Sequence, residues 1–104
     1  MNSYTVHTGI NKFIDNLSEE DRIKTLKIMG FLEMKEYSLE MPYSKKIEKD
    51  IYELRISGSK NIRIFYTFYK DSIFLLHIIK KQSQKLPLKD LNTARDRLKA
   101  LHHQ

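Results

Sequence analysis

Arg55 and Arg63 are the residues of this chain best suited to chemistry on a phosphate. A guanidinium stays charged at every physiological pH and grips phosphate oxygens in pairs. Two of them on one sheet face would hold a scissile phosphate and stabilise the charge that builds on it during attack. Lys80, Lys81 and Lys85 follow in the run KKQSQK, and Lys60 lies between the arginines in a polar turn. Each has a plainer reading: an arginine paired with Glu53, or lysines forming a solvated rim. His77 is either a proton carrier or a satisfied core histidine on an apolar strand. His102 and His103 are a loose terminus, or a general acid or base if the last helix docks beside the sheet.

Other chemistries lack their residues. The chain has no Cys, so disulfides, zinc–thiolate sites and thiol catalysis are excluded. There is no HxH, HExxH or DxD spacing, no Gly-rich phosphate loop and no serine nucleophile elbow. A two-metal nuclease needs clustered carboxylates, whereas the acids here gather in the first half of the chain. No metal or other cofactor is expected. Charge is divided as sharply as chemistry. Residues 1–54 carry a net −2 and residues 55–104 a net +8, within an overall +6. That asymmetry is the footprint expected of a nucleic-acid binder, and it would also attract an acidic protein. The N-terminus lacks a signal-peptide pattern and the apolar run Ile73–Ile79 is too short to span a bilayer, so a soluble cytoplasmic protein is expected.

The elements that must position these residues are legible in outline. No repeat or linker interrupts residues 1–104, which reads as one domain. Tyr4 to His7 can form a short strand, and Asn11 to Asn16 a short helix. Ser18 can cap a longer helix reaching about Tyr37, with Ile23, Leu26, Met29, Gly30 and Leu32 or Glu33 along its apolar stripe. Pro42 breaks it, and Ser44 to Lys49 reads as a polar connector. Ile51–Ser57, Ile62–Tyr69 and Ile73–Ile79 read as a strand meander, with turns at Gly58–Asn61 and Lys70–Ser72. Leu88 to Leu101 reads as a closing helix. The fold class is α+β: a small antiparallel sheet with two N-terminal helices and a C-terminal helix, the helices covering one face. Strand alternation puts Ile62, Ile64, Tyr66 and Phe68 in the core and turns Arg63 to the open face, with Arg55 on the face of Glu53 and Ser57. A three-residue loop at Lys70–Ser72 would put His77 beside Arg63, and a two- or four-residue loop would put it on the other face.

Taken in order, the segments Met41–Ile47, Ile51–Arg55, Arg63–Tyr66, Leu76–Pro87 and Ala94–Leu98 resemble the RelE/ParE superfamily of bacterial toxins, and most closely its HigB-like, phage-derived branch. The resemblance runs from about Phe13 to Leu101. It implies a RelE-like fold and the toxin of a type II toxin–antitoxin pair: a metal-independent endonuclease that cuts mRNA on the ribosome by attack of a 2′-hydroxyl on the adjacent phosphate. Carried onto this chain, it implies catalytic roles for Arg55, Arg63, Lys80 and Lys81, and RNA-binding roles for His77 and Lys85; Lys60 in the nearby turn is a further RNA-binding candidate. Relatives that use a late aromatic or histidine leave His102 or His103 for that role, since no Tyr or Phe follows Phe74. The implied partners are mRNA on the ribosome and a helix-turn-helix, HigA-like antitoxin. Two alternatives remain: a ParE-like inhibitor of DNA gyrase, and a non-catalytic basic module that binds RNA or an acidic protein.

Overall fold

The computed structural model describes residues 4–7 and 9–103. Its elements follow as β1 (Tyr4–Val6), α1 (Ile10–Asp15), α2 (Glu19–Lys35), β2 (Ser44–Glu48), β3 (Ile51–Ser57), β4 (Asn61–Tyr69), β5 (Ser72–Lys80) and α3 (Leu88–His102). The sheet order is β1-β5-β4-β3-β2. β2 to β5 are antiparallel, and β1 lies parallel to β5. The α+β class is as expected.

One strand was hidden by its polarity. Ser44–Lys49 reads as a connector, yet Ser44 and Lys45 pair with Leu54 and Glu53 as part of β2. This is an edge strand, where lysines and a bulge, here between Lys46 and Glu48, keep other chains from pairing. It is fixed from inside by a 2.5 Å hydrogen bond between the hydroxyls of buried Ser44 and Tyr66. Burial pushes the Tyr66 phenol up to about 12, so it stays protonated.

The sheet buries both faces, not one. Ile62, Ile64 and Tyr66 pack with Ile28 and Leu32 of α2 and with Ile10 and Ile14 of α1. On the other face Ile51, Phe65, Leu76 and Ile79 pack with Ala94 of α3. The face expected to be open is therefore partly roofed by α3.

The hairpin joining β4 and β5 pairs Tyr69 with Ser72, leaving Lys70 and Asp71 as a two-residue loop with φ of 47° and 63°. Positive φ at both positions is the type I′ geometry that matches strand twist. By alternation alone this loop would send His77 away from Arg63. A bulge intervenes: Phe65 pairs with His77 but Tyr66 pairs with Leu75, which leaves Leu76 as the extra residue. Ile73 and Leu75 stay in the α1/α2 core while Ile79 joins the α3 core, and His77 faces α3.

α2 begins as expected, with the Asp21 amide donating to Ser18 Oγ at 3.2 Å and three acids in the first turn. Its buried face, however, is Asp21, Thr25, Ile28 and Leu32. Ile23 and Leu26, expected in the core, are 57% and 51% exposed. Asp21 leaves the helix to clamp the β3–β4 turn: its carboxylate accepts from the Ser59 hydroxyl at 2.6 Å and the Ser59 amide at 3.0 Å. A Cβ on Gly58 would lie 2.4 Å from Asp21 Oδ1, so only glycine allows the turn to sit this close.

The Ser59 hydroxyl, more than any other group, holds the Asp21 carboxyl below its ordinary value of 3.8, against the opposing effect of burial. A carboxyl lowered by folding stabilises the fold above its unfolded value, and that contribution fades as pH falls through the folded value. Asp21→Asn is therefore expected to melt at a lower temperature than the wild type at pH 7. The gap should close as pH drops below about 4. Melting curves followed by circular dichroism check this; a gap that persists at low pH contradicts it.

Candidate functional site

On β3 and β4, alternation puts two cations side by side. Arg55 and Arg63 are directly opposed across the ladder, on the face they share with Glu53. Like charges opposed in a sheet repel, and Glu53 moderates this by lying between them. Its Oε1 is 3.6 Å from Arg55 Nε and its Oε2 is 3.8 Å from Arg63 Nε. The pairing with Glu53 weighed from sequence is thus present for both arginines, but as charge proximity, too long for hydrogen bonding.

Arg63 is 5% exposed. Its Nη1 donates to its neighbour Ile62 O at 3.0 Å, and its Nε is buried with no hydrogen-bond partner. Burial, more than any neighbour, lowers the guanidinium's affinity for its proton; Glu53 opposes this and Arg55 adds to it. A buried charged donor without a partner is costly unless something fills the position. Arg55 is more open, and its Nη1 contacts Met41 Sδ at 3.4 Å.

Both arginines line an open cavity of about 360 Å³, with Asn61, Lys81, Gln82, Ser83 and Gln84 as the other walls. The loop after β5 is pinned there by the Lys81 amide, which donates to Asn61 O at 2.7 Å. Every charged lining residue is a cation, and Glu53 below them offsets one charge of three. The chemistry of this arrangement is to receive a phosphate-sized anion and hold it against two guanidiniums and an ammonium.

The remaining candidates lie elsewhere. Lys80, opposite Ile62, projects to the other sheet face, with Nζ 5.9 Å from the centre of the Phe13 ring. Lys60 is exposed at the β3–β4 turn and Lys85 in the loop leading to α3; neither lines the cavity. His102 belongs to the last turn of α3 and rests on Tyr69, ring centres 5.4 Å apart. Tyr69 is six residues along β4 from Arg63, about 20 Å at strand rise, so α3 carries His102 to the wrong end of the sheet. His103 follows His102 at that same end.

His77 is committed to holding α3. Its Nε2 is 2.8 Å from Asp90 Oδ1, Arg97 Nη1 lies 3.3 Å from its Nδ1 and also donates to Leu76 O, and its ring stacks on Phe65. An arginine can only donate, so Nδ1 accepts and Nε2 carries the proton given to Asp90. His77→Ala strands both partners beneath the helix and is expected to cost about 1–3 kcal/mol of stability. Urea unfolding measures this, and an unchanged midpoint would contradict the role.

Sequence reasoning missed the part Glu53 plays at both guanidiniums at once. The signal was available: it lies diagonally across the ladder from Arg63 and two residues before Arg55. Among the described residues no group of acids and histidines is arranged to hold a metal ion. No helix among them is long and apolar enough to cross a membrane.

The α+β fold, an antiparallel sheet with helices before and after it, is consistent with the RelE/ParE-like toxin superfamily, to which the matching family belongs. Within it, the chain belongs to the phage-derived Gp49-like family (DUF891), whose model matches residues 12–99. No curated protein matches the chain.

Proposed function

We propose that the protein is the toxin of a type II toxin–antitoxin pair, of the HigB-like branch, and that it cleaves mRNA on the ribosome in the cytoplasm. The observation that carries this reading is Arg63: a buried guanidinium whose Nε has no hydrogen-bond partner, at a cavity walled by Arg55 and Lys81. An RNA phosphate in the cavity lies against Arg55, the accessible edge of Arg63 and Lys81. As the 2′-oxygen attacks phosphorus and the bond to the 5′-oxygen breaks, charge grows on the phosphoryl oxygens. Fixed cations stabilise that charge more than the ground state. The 2′-hydroxyl gives its proton to solvent and the 5′-oxygen takes one from solvent at the open mouth of the cavity.

The partner proposed is a helix-turn-helix, HigA-like antitoxin. Charge favours cleavage over gyrase inhibition: three cations converge on one cavity of phosphate size, which a binding surface for a protein does not need. Primer extension on cellular mRNA after brief induction tests the reading. New, ribosome-dependent 5′ ends are expected within translated regions. Growth arrest with an unchanged transcript pattern would overturn it, and DNA damage in its place would favour gyrase. Co-expression with the neighbouring gene should recover a small partner on affinity capture.

A further inference from the structure

α2 is apolar on two opposite sides. Ile28 and Leu32 face the sheet, while Ile23, Leu26 and Met34 face solvent, 57%, 51% and 83% exposed. Large apolar residues gathered on an exposed helix face mark a contact surface. The outer residues, together with exposed Gly30, recur at spacings of three and four, the pattern of a helix–helix seam. Nothing lies within 4 Å of a Cβ built on Gly30, so the seam has an open notch at its middle.

We propose that this seam binds a second copy of the same chain, α2 against α2 and antiparallel. The flanking charges carry the choice of occupant. Arg22 and Glu33 border the seam on one side, eleven residues apart. With the two-fold axis between Lys27 and Ile28, Arg22 meets Glu33 of the second copy. Two-fold symmetry then repeats the pair, so one register satisfies two opposite-charge contacts. In the same register Leu26 of one copy faces the notch at Gly30 of the other, and Ile23 lies beside Met34. A parallel pair would hold Arg22 and Glu33 of the two copies about 16 Å apart along the axis. Lys27, nearest the axis, is turned along its own helix with Nζ 5.9 Å from the Phe31 ring centre.

The 17 residues of α2 span about 25 Å. A seam of that length falls short of the roughly 1,200 Å² typical of tight interfaces, so the dimer is weak and forms at high concentration. It leaves the Arg55–Arg63 cavity free, because the α2 core and that cavity are on opposite sheet faces.

Sedimentation equilibrium on the full chain tests this, with circular dichroism to confirm folding of each variant. The mass should rise from one chain toward two as concentration increases. Arg22→Glu and Glu33→Arg should each weaken association about tenfold, and the double variant should restore it. Leu26→Glu should keep the chain monomeric. A single-chain mass at every concentration would overturn the proposal and leave the seam to a different partner. A dimer indifferent to the charge exchanges would overturn it too, by placing the contact elsewhere.

Discussion

Arg63→Ala is expected to lower mRNA cleavage by about 10²–10³-fold, the usual effect of removing one fixed donor from developing transition-state charge. The expectation follows from where the side chain is held. Exposed arginines bind anions through a flexible stem and lose entropy on doing so. Arg63 is already buried and fixed by its bond to Ile62 O, so its Nε is ordered before any ligand arrives. Cations that need no reorganisation act most strongly on the transition state. Two controls separate chemistry from folding. Arg55 remains 3.6 Å from Glu53 in the variant, so the buried carboxylate keeps a cation, and the melting temperature should move by only a few degrees. Arg63→Lys keeps the charge but loses the fork, and should recover part of the rate. Ribosome-dependent cleavage measured in vitro for all three proteins decides it. Wild-type cleavage by a folded Arg63→Ala protein would exclude the cavity as the reaction site.

The parts of this molecule that were readable from its sequence are those where one local pattern decides the outcome. Alternation placed Arg55, Glu53 and Arg63 on one face, and the ladder keeps them there because no irregularity interrupts the pairing between Ser57–Asn61 and Tyr52–Tyr66. His77 defeated the same reasoning. Its face depends on a loop length and on a bulge several residues away, and the two cancel. α2 was misread for a different reason. Its outer stripe of Ile23, Leu26 and Met34 is as apolar as its inner one, and the helix buries Asp21 and Thr25 instead, because Asp21 has Ser59 to bind. Periodicity finds an apolar stripe but does not say which of two faces the core. β2 was missed because an edge strand has little apolar signal of its own, and the second core because α3 docks through Ala94 and a polar anchor at His77. The cavity followed from none of these patterns singly. It exists because the loop from Lys81 to Gln84, tied to Asn61, lies beside the arginine end of the sheet, a matter of where a loop runs and not of what it contains.

The sharpest contrast is expected between two adjacent lysines. Lys81→Ala should slow cleavage by about 10–100-fold, the range for losing one hydrogen bond to a charged group. Lys80→Ala should leave the rate within about twofold of wild type. Nothing in the run KKQSQK distinguishes them, and family resemblance groups them as a pair. Strand geometry divides them. Successive side chains on β5 point to opposite faces, and Ile79 already belongs to the α3 core, so Lys80 must point the other way, toward α1. There its ammonium lies near the Phe13 ring, a contact worth about 0.5–1 kcal/mol at an exposed site. Lys80→Ala should therefore cost slight stability and little activity. Lys81 is the first residue past β5, and its amide is tied to Asn61 at the start of β4, one position from Ile62 and two from Arg63. That bond fixes the lysine stem at the cavity wall, so its ammonium reaches the same anion as the two guanidiniums. Cleavage assays on the two variants, compared with melting temperatures, should show the effects on opposite observables. Equal losses of activity would mean that RNA crosses both faces of the sheet, and the cationic cavity would then be a fragment of a wider binding surface.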